Sequence, residues 1–235
     1  SSDPYALRRA GNGLLQILWS RGWALDLHQL LQRATAHWAD LFPHFAVDAA
    51  ALATELGEFL RQRLQSLLEE TGVDADLVQA VAGDSVALER VIQDPADARQ
   101  RASLLMELRG SGELSAVQAV VTRAARLAEK SALAPAVLSA DGVVNPALFE
   151  QPSEAGMLAV LEQLQPIAEG QSEARYRLLA EGLSSGASAL AAFFDGDQSV
   201  MVMADDAAVR SNRLNLLAVL RNQASVLADF SRISG

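Results

Sequence analysis

The sequence predicts an all-α protein, a multi-helix bundle, and three observations carry that expectation. Apolar residues recur at spacings of three and four along most of the chain, which is the period of a helix with one buried face. Capping residues and stop signals bracket those stretches. Only one short run, Val200-Met201-Val202-Met203, looks like a strand. A lone strand has no partner for its backbone groups, so an extended connector buried by its side chains is expected over 200–203.

The elements follow in order. Asp3 is an N-cap residue with Pro4 at the first helical position; Leu7, Leu14 and Leu18 keep one face, and Gly22 is the stop. A second helix starts near Asp26, carries Leu30, Ala34, Trp38 and Leu41 as its stripe, and ends at Pro43. Asp48 caps a third, with Leu52, Leu56, Phe59, Leu60, Leu64, Leu67 and Leu68 on one side and Thr71-Gly72 closing it. Shorter helices are expected at 75–82 and 84–92, another from Asp94-Pro95 to Gly110, and one from Glu113 to Lys130.

Pro135, Asp141-Gly142, Pro146 and Pro152 punctuate 131–152, which reads as a long connection with room for a short helical turn. Ser153 opens a helix to Glu169; two more are expected at 171–182 and 186–194. A long helix from Asp205 to Ser231 completes the series.

Composition bounds the function. A chain of 235 residues makes one large or two small domains, and with half its residues apolar but 5% aromatic its core must be Leu, Ala and Val. The absence of cysteine excludes disulfides and thiolate metal sites. No signal peptide and no bilayer-length apolar run is seen, so a cytoplasmic soluble domain is expected. The net charge of −10 argues against a general nucleic-acid binder but leaves room for a local basic face. Lys130 is the single lysine among 19 basic residues; the arginines offer planar donor forks suited to phosphate and carboxylate. The opening Ser1-Ser2-Asp3-Pro4, with no initiator Met, reads as the start of a fragment of a longer protein.

Candidate sites come from charge spacing. Arg123, Arg126 and Lys130 fall at i, i+3 and i+7, so one helical face could hold all three against a phosphate backbone; a solvated polar face explains them equally. Arg210, Arg213 and Arg221 converge at offsets of 3 and 11, with Asn212 beside them as an amide able to meet base edges. The alternative is that these arginines tie the helix to Asp205, Asp206 or Asp229. Arg8 and Arg9 sit in a first turn, where the dipole disfavours cations, and tertiary salt bridges are expected for them.

Asp205-Asp206 reads as helix capping. Residues 195–199 imitate the start of a calcium loop but lack its Gly at position 6 and its bidentate Glu at position 12. His28, His37 and His44 have no metal-like spacing, Gly110-Ser111-Gly112 follows a helix and not a strand, and Trp19, Trp23 and Trp38 are expected in the core. No nucleophile–base pairing is recognisable, so no catalytic residue and no metal ligand is expected here.

The order of features at the C-terminal end is more specific. Phe193-Phe194-Asp195 is followed by Val200-Met201-Val202-Met203, then Asp205-Asp206, Arg210, Asn212-Arg213-Leu214, Leu220-Arg221, Ala228-Asp229 and Ile233. This stretch resembles the C-terminal end of the bacterial glycyl-tRNA synthetase β subunit. The opening Asp3-Pro4-Tyr5-Ala6-Leu7-Arg8-Arg9 is similar to a segment of the same family, and 72–80 and 96–130 match more weakly.

The resemblance implies a bundle of the anticodon-binding type, like that of arginyl-tRNA synthetase, over 48–235, with 1–47 leading in from a preceding β-subunit domain. It also implies a tRNA-binding role within an ATP-dependent ligase of protein biosynthesis. Glycine tRNA would be held here for a separate α subunit, which carries the chemistry with ATP and magnesium, in a heterotetramer of two α and two β chains. No cofactor, DNA or membrane contact is implied for these residues. The implied tRNA-binding set is Arg123, Arg126, Lys130, Arg210, Asn212, Arg213 and Arg221. The alternative role is a protein-interaction module that docks the α subunit or other β-subunit domains.

Two departures stand out. Where the family pattern is K-R-x-x-N-I-L, this chain has Thr122-Arg123-Ala124-Ala125-Arg126-Leu127-Ala128, so only the charge pattern carries over. The loop after Asp195 is longer, by Gly196-Asp197-Gln198-Ser199.

Overall fold

A computed structural model describes Asp3 and residues 5–234, apart from the side chain of Ala116. Pro4, read as the first helical residue, lies outside the described residues. The chain is all-α, with no strand among the described residues. It divides into two compact units, Ser1–Met106 and Glu107–Gly235.

The first unit contains α1 (Leu7–Arg21), α2 (Leu27–Leu41), α3 (Ala49–Glu70), α4 (Ala75–Ala82), α5 (Leu88–Gln93) and the start of α6 (Pro95–Ser111). α3 is its centre and packs against α1, α2, α4 and α5. The boundary read at 47/48 therefore falls inside this unit. Asp48 caps α3 as its sequence implies, accepting from the amides of Ala50 at 2.9 Å and Ala51 at 3.1 Å. Leu60, Leu64, Leu67 and Leu68 are buried, and Gly72 takes the left-handed conformation (φ 92°) that lets the chain leave the helix.

α1 starts later than its cap signal. Ala6, at φ 56°, precedes the helix, and the Asp3 carboxylate reaches past it to the amides of Arg8 and Arg9 at 3.3 and 3.4 Å. The cap is present, but from three residues upstream. In α2 the packed side uses Leu27 and Thr35, whose hydroxyl donates to the Leu31 carbonyl at 3.0 Å. The stripe read from periodicity faces outward: Leu30, Ala34, Trp38 and Leu41 are exposed. Phe42 and Phe45 join Trp38, each with ring centroids 5.4 Å from its indole. Trp23 is also exposed. Trp19 is the half-buried one, donating its Nε1–H to the Pro95 carbonyl at 2.8 Å. The expectation of three core tryptophans is thus corrected: Trp19 is half-buried, and Trp23 and Trp38 are exposed.

The second unit holds the end of α6 with α7 (Glu113–Ala128), α8 (Pro152–Glu169), α9 (Arg175–Ala192) and α10 (Ala207–Ser225). α8 pairs with α9 and α7 with α10, while α7 also meets α9 and α10 meets α8. α10 is buried on nearly every side, as a central helix must be.

The expected break near 183–185 is absent because α9 runs unbroken through Gly182 and Gly186. Those glycines serve close packing. A Cβ at Gly182 would lie 2.6 Å from Leu164 Cδ2, and one at Gly186 2.7 Å from Val160 Cγ1 of α8. α10 ends at Ser225, short of the expected Ser231; Asp229 then caps a separate 3-10 turn, Phe230–Arg232. α5 begins at Leu88, after a turn through 84–87, and α7 ends at Ala128.

Residues 131–151 contain only a 3-10 turn, Pro146–Leu148. The segment is strapped to α10 by side-chain amides. Asn222 Nδ2 donates to the carbonyls of Ala134 and Val137, both at 2.9 Å. Gln223 Nε2 serves Leu138 at 2.7 Å and Leu161 of α8 at 2.9 Å. Asn215 donates to Val143 at 2.7 Å and accepts from Ser131 Oγ at 3.1 Å. Irregular backbone stays ordered against a helix when its polar groups find such partners. The 200–203 connector forms no strand and buries Val202, while Met201 and Met203 project outward.

Candidate nucleic-acid interface

α7 is amphipathic for a plain reason. Leu114, Val117, Val121, Ala124 and Ala128 repeat at three and four and are buried, which turns Arg123 and Arg126 outward. Glu113 in its first turn and Arg126 in its last complement the helix dipole. Lys130 lies in the turn just beyond the helix and is exposed. The structure thus keeps Arg123 and Arg126 at the surface of α7 and Lys130 at the surface of the turn that follows it.

Arg123 differs from the other two. Its guanidinium carbon sits 4.5 Å from the Phe194 ring centroid, and its Nη1 donates to Asp195 Oδ1 at 3.0 Å. Arg126 and Lys130 make no side-chain hydrogen bond or ion pair among the described residues. An open hollow of about 770 Å³ lies along this face, lined by Ser115, Gln118, Thr122, Arg123, Arg126 and Ile233. Gln118 Nε2 donates to the Ile233 carbonyl at 2.8 Å and the Thr122 hydroxyl to that of Phe230 at 3.0 Å, fixing the C-terminal turn as its wall.

The second candidate set is engaged inside the chain. Asn212 is buried and clamps Asn145, accepting its amide at 2.7 Å and donating to its carbonyl at 3.1 Å. Arg213 is 3% exposed. It donates to Glu154 from Nε at 2.9 Å, to Glu150 from Nη2 at 2.7 Å and to the Met201 carbonyl at 3.1 Å. Arg210 donates to the carbonyls of Ala204 at 2.6 Å and Asp205 at 3.2 Å. Arg221 reaches the carbonyl of Ala128 at 3.1 Å and its neighbour Asn222 Oδ1 at 2.9 Å. Asn212, Arg213 and Arg221 thus hold α10 to its surroundings, while half-buried Arg210 engages only its Nη1, with the segment just before the helix.

The electrostatics agree. Burial pushes the fully buried Glu154 carboxyl up, but Arg213 and the amides of Glu150 and Gln151 outweigh it and hold the group below its usual range. For Arg213, burial works downward and the two glutamates reverse it, raising its pKa. Arg221 has no such pair, and burial lowers it, offset in part by Glu129.

Arg213 does find acidic partners, though not Asp205, Asp206 or Asp229. Glu154 also closes a capping box with Gln151 at the start of α8. The Gln151-x-x-Glu154 spacing was the available signal for a structural glutamate there. Asp206 caps α10 as read, and the amides of Val209 and Ala208 hold its carboxyl low. Arg9 pairs with nearby Asp3, at 3.5 Å. Among the described residues no group of three His, Cys, Asp or Glu is arranged to hold a metal ion, and no helix is long and apolar enough to cross a membrane.

Comparison with known proteins shows what the chain is similar to. Residues 1–83 match the family model described as glycyl-tRNA synthetase beta subunit. A glycine–tRNA ligase beta subunit from Acaryochloris marina is 46% identical over 99% of this chain and 33% of its own length. One from a Picosynechococcus species is 43% identical over 99% of this chain and 32% of its own. One from Syntrophotalea carbinolica is 35% identical over 100% of this chain and 31% of its own. The chain thus spans about a third of the length of the curated relatives it matches.

Proposed function

We propose that this chain is a tRNA-recognition portion of a glycine–tRNA ligase β subunit. It would hold the anticodon arm of glycine tRNA while a separate α subunit carries out aminoacylation with ATP and magnesium. The observation that supports the reading most is the end-to-end similarity, 46% identity over 99% of the chain, to a protein of that name. The helical unit Glu107–Gly235, within the 48–235 span expected to be anticodon-binding, would face RNA through α7. Arg126 and Lys130 are its open cations, and Arg123 stands beside them. Arg210, Asn212, Arg213 and Arg221 would support this face from behind by fixing α10. No residue here is assigned to ATP or magnesium, the role is non-catalytic, and the complex would be cytoplasmic.

The test is a titration of glycine tRNA onto the chain at low and moderate salt. Binding should weaken with salt, and Arg126→Ala with Lys130→Ala should lower the log–log slope by roughly 0.7–0.9 for each phosphate left without its cation. A chain that binds no tRNA at low salt refutes the reading.

A second reading has its own observation. Trp38, Phe42 and Phe45 form an exposed aromatic cluster on the first unit, with Leu30 and Leu41 of α2 also exposed, a surface of the kind that marks protein contacts. This face would dock the α subunit or another β-subunit domain. Trp38→Glu with Leu41→Glu should abolish α-subunit capture while leaving the tRNA titration unchanged; unaltered capture counts against it.

A further inference from the structure

The three surface cations near the end of α7 are not chemically equivalent, and their difference points to a division of labour. Arg123 has one guanidinium face against Phe194 and one edge on Asp195. Phe194 is 8% exposed, so the ring is a fixed floor. The backbone of Asp195 is fixed as well. Its amide donates to the Ala191 carbonyl at 3.0 Å, and the Val200 amide closes the loop onto the Phe193 carbonyl at 3.1 Å. Gly196 supplies the positive φ of 90° that the turn requires. The Ser153 hydroxyl pins the far side by donating to the Gln198 carbonyl. The guanidinium is therefore seated over the Phe194 ring with the exposed Asp195 carboxylate at one edge, and half of the side chain's surface stays exposed. Its charge is already matched by Asp195, whereas Arg126 and Lys130, three and seven residues along, keep theirs unmatched.

Resting on the RNA-binding reading above, we propose that the Arg123 guanidinium is a stacking platform for an unpaired nucleobase, with Arg126 and Lys130 as the phosphate anchors of the same strand. A guanidinium plane offers a base the same kind of flat, polarisable face as an aromatic ring. Stacking needs a plane held in place, which Phe194 and Asp195 provide. Phosphate attraction needs uncompensated charge, which Arg126 and Lys130 provide. The loop after Asp195 acquires a use here, since it closes back onto Phe193 and so holds the backbone that presents Asp195 at the platform's edge.

The experiment compares Arg123→Lys, Arg123→Ala and Arg126→Ala in the full chain, with the anticodon stem-loop of glycine tRNA as probe, across a salt series. Lysine keeps the charge and loses the plane. The expected result is that Arg123→Lys and Arg123→Ala weaken binding alike, by about fivefold to a hundredfold, with the salt slope unchanged. Arg126→Ala should lower the slope. Thermal unfolding of the exposed-site variants serves as the check on folding. Wild-type affinity in Arg123→Lys, or a lowered slope in Arg123→Ala, overturns the platform and leaves tRNA binding standing. A wild-type chain with no salt-dependent binding overturns both.

Discussion

Glu107–Arg177 and Glu154–Arg213 are both glutamate–arginine pairs with N–O distances under 3 Å, yet they should behave oppositely on mutation. Glu154 has no exposed surface. Its Oε2 accepts from the amides of Glu150 at 2.7 Å and Gln151 at 2.9 Å and from Arg213 Nη2 at 3.3 Å, while Oε1 takes Arg213 Nε at 2.9 Å. Glu154→Gln keeps the shape and replaces one acceptor oxygen by a donor. In either orientation, buried donors then face a donor. Breaking a buried pair from one side costs about 3–5 kcal/mol. Glu150 stays with Arg213 at 2.7 Å, which places the expectation near the lower end, about 3 kcal/mol. For a chain of this size that is a fall of about 6–12 °C in Tm. Glu107→Gln breaks a pair whose two side chains are half exposed, and its melting curve should overlay the wild type. Urea and thermal unfolding followed by circular dichroism check both. A Glu154→Gln variant that loses less than about 1 kcal/mol would refute the argument that burial, and not distance, sets the worth of the pair.

The same carboxylate sets a pH dependence. Its folded pKa lies below the ordinary 4.5, so the unfolded chain takes up the proton first. The stabilisation is therefore full above the ordinary value and is lost as pH falls through the depressed one. Wild type and Glu154→Gln should differ most at neutral pH and converge in acid; a gap that persists undiminished in strong acid counts against the pairing. Gly186→Ala should destabilise by about 1 kcal/mol or more despite alanine's better helix propensity, because the new methyl meets Val160 Cγ1 at 2.7 Å and the β-branched valine has few rotamers to yield into. Adding Val160→Ala should restore part of the loss, and a stabilised single variant would show that α8 and α9 can separate freely. Asn222→Leu leaves the carbonyls of Ala134 and Val137 without their donor, an expected cost of about 2–4 kcal/mol. Hydrogen exchange should rise through 131–145 before the rest of the second unit; unchanged protection there would mean that the amide straps do not hold the segment.

Local chemistry was legible in the sequence. Asp48 and Asp206 are caps because a short carboxylate before an apolar-periodic run satisfies the first free amides, and that needs no distant partner. The buried side of α3 followed from spacing, as did the outward turn of Arg123 and Arg126 on α7. What escaped were features whose cause lies elsewhere in the chain. Gly182 and Gly186 read as a break and instead admit α8. The α2 stripe is correct in period but faces away from α3, since which side of a helix is covered depends on its neighbours. The arginines of α10 allowed either a face for RNA or ties to nearby Asp205, Asp206 or Asp229, and spacing could not choose between them or find the partners of Arg213. Arg213 is buried by a glutamate pair some 60 residues upstream.

The sequence by itself thus determined the helical class, most of the caps and the candidate charges, because these depend on residues within a turn or two of one another. Only the tertiary structure decided which charges are already engaged. It matched Arg213 to Glu150 and Glu154, strapped 131–151 to α10 through Asn212, Asn215, Asn222 and Gln223, and laid Arg123 on Phe194 beside Asp195. A side chain's availability is set by what packs within a few ångströms of it, and chain spacing does not encode that distance once the partners lie on different elements.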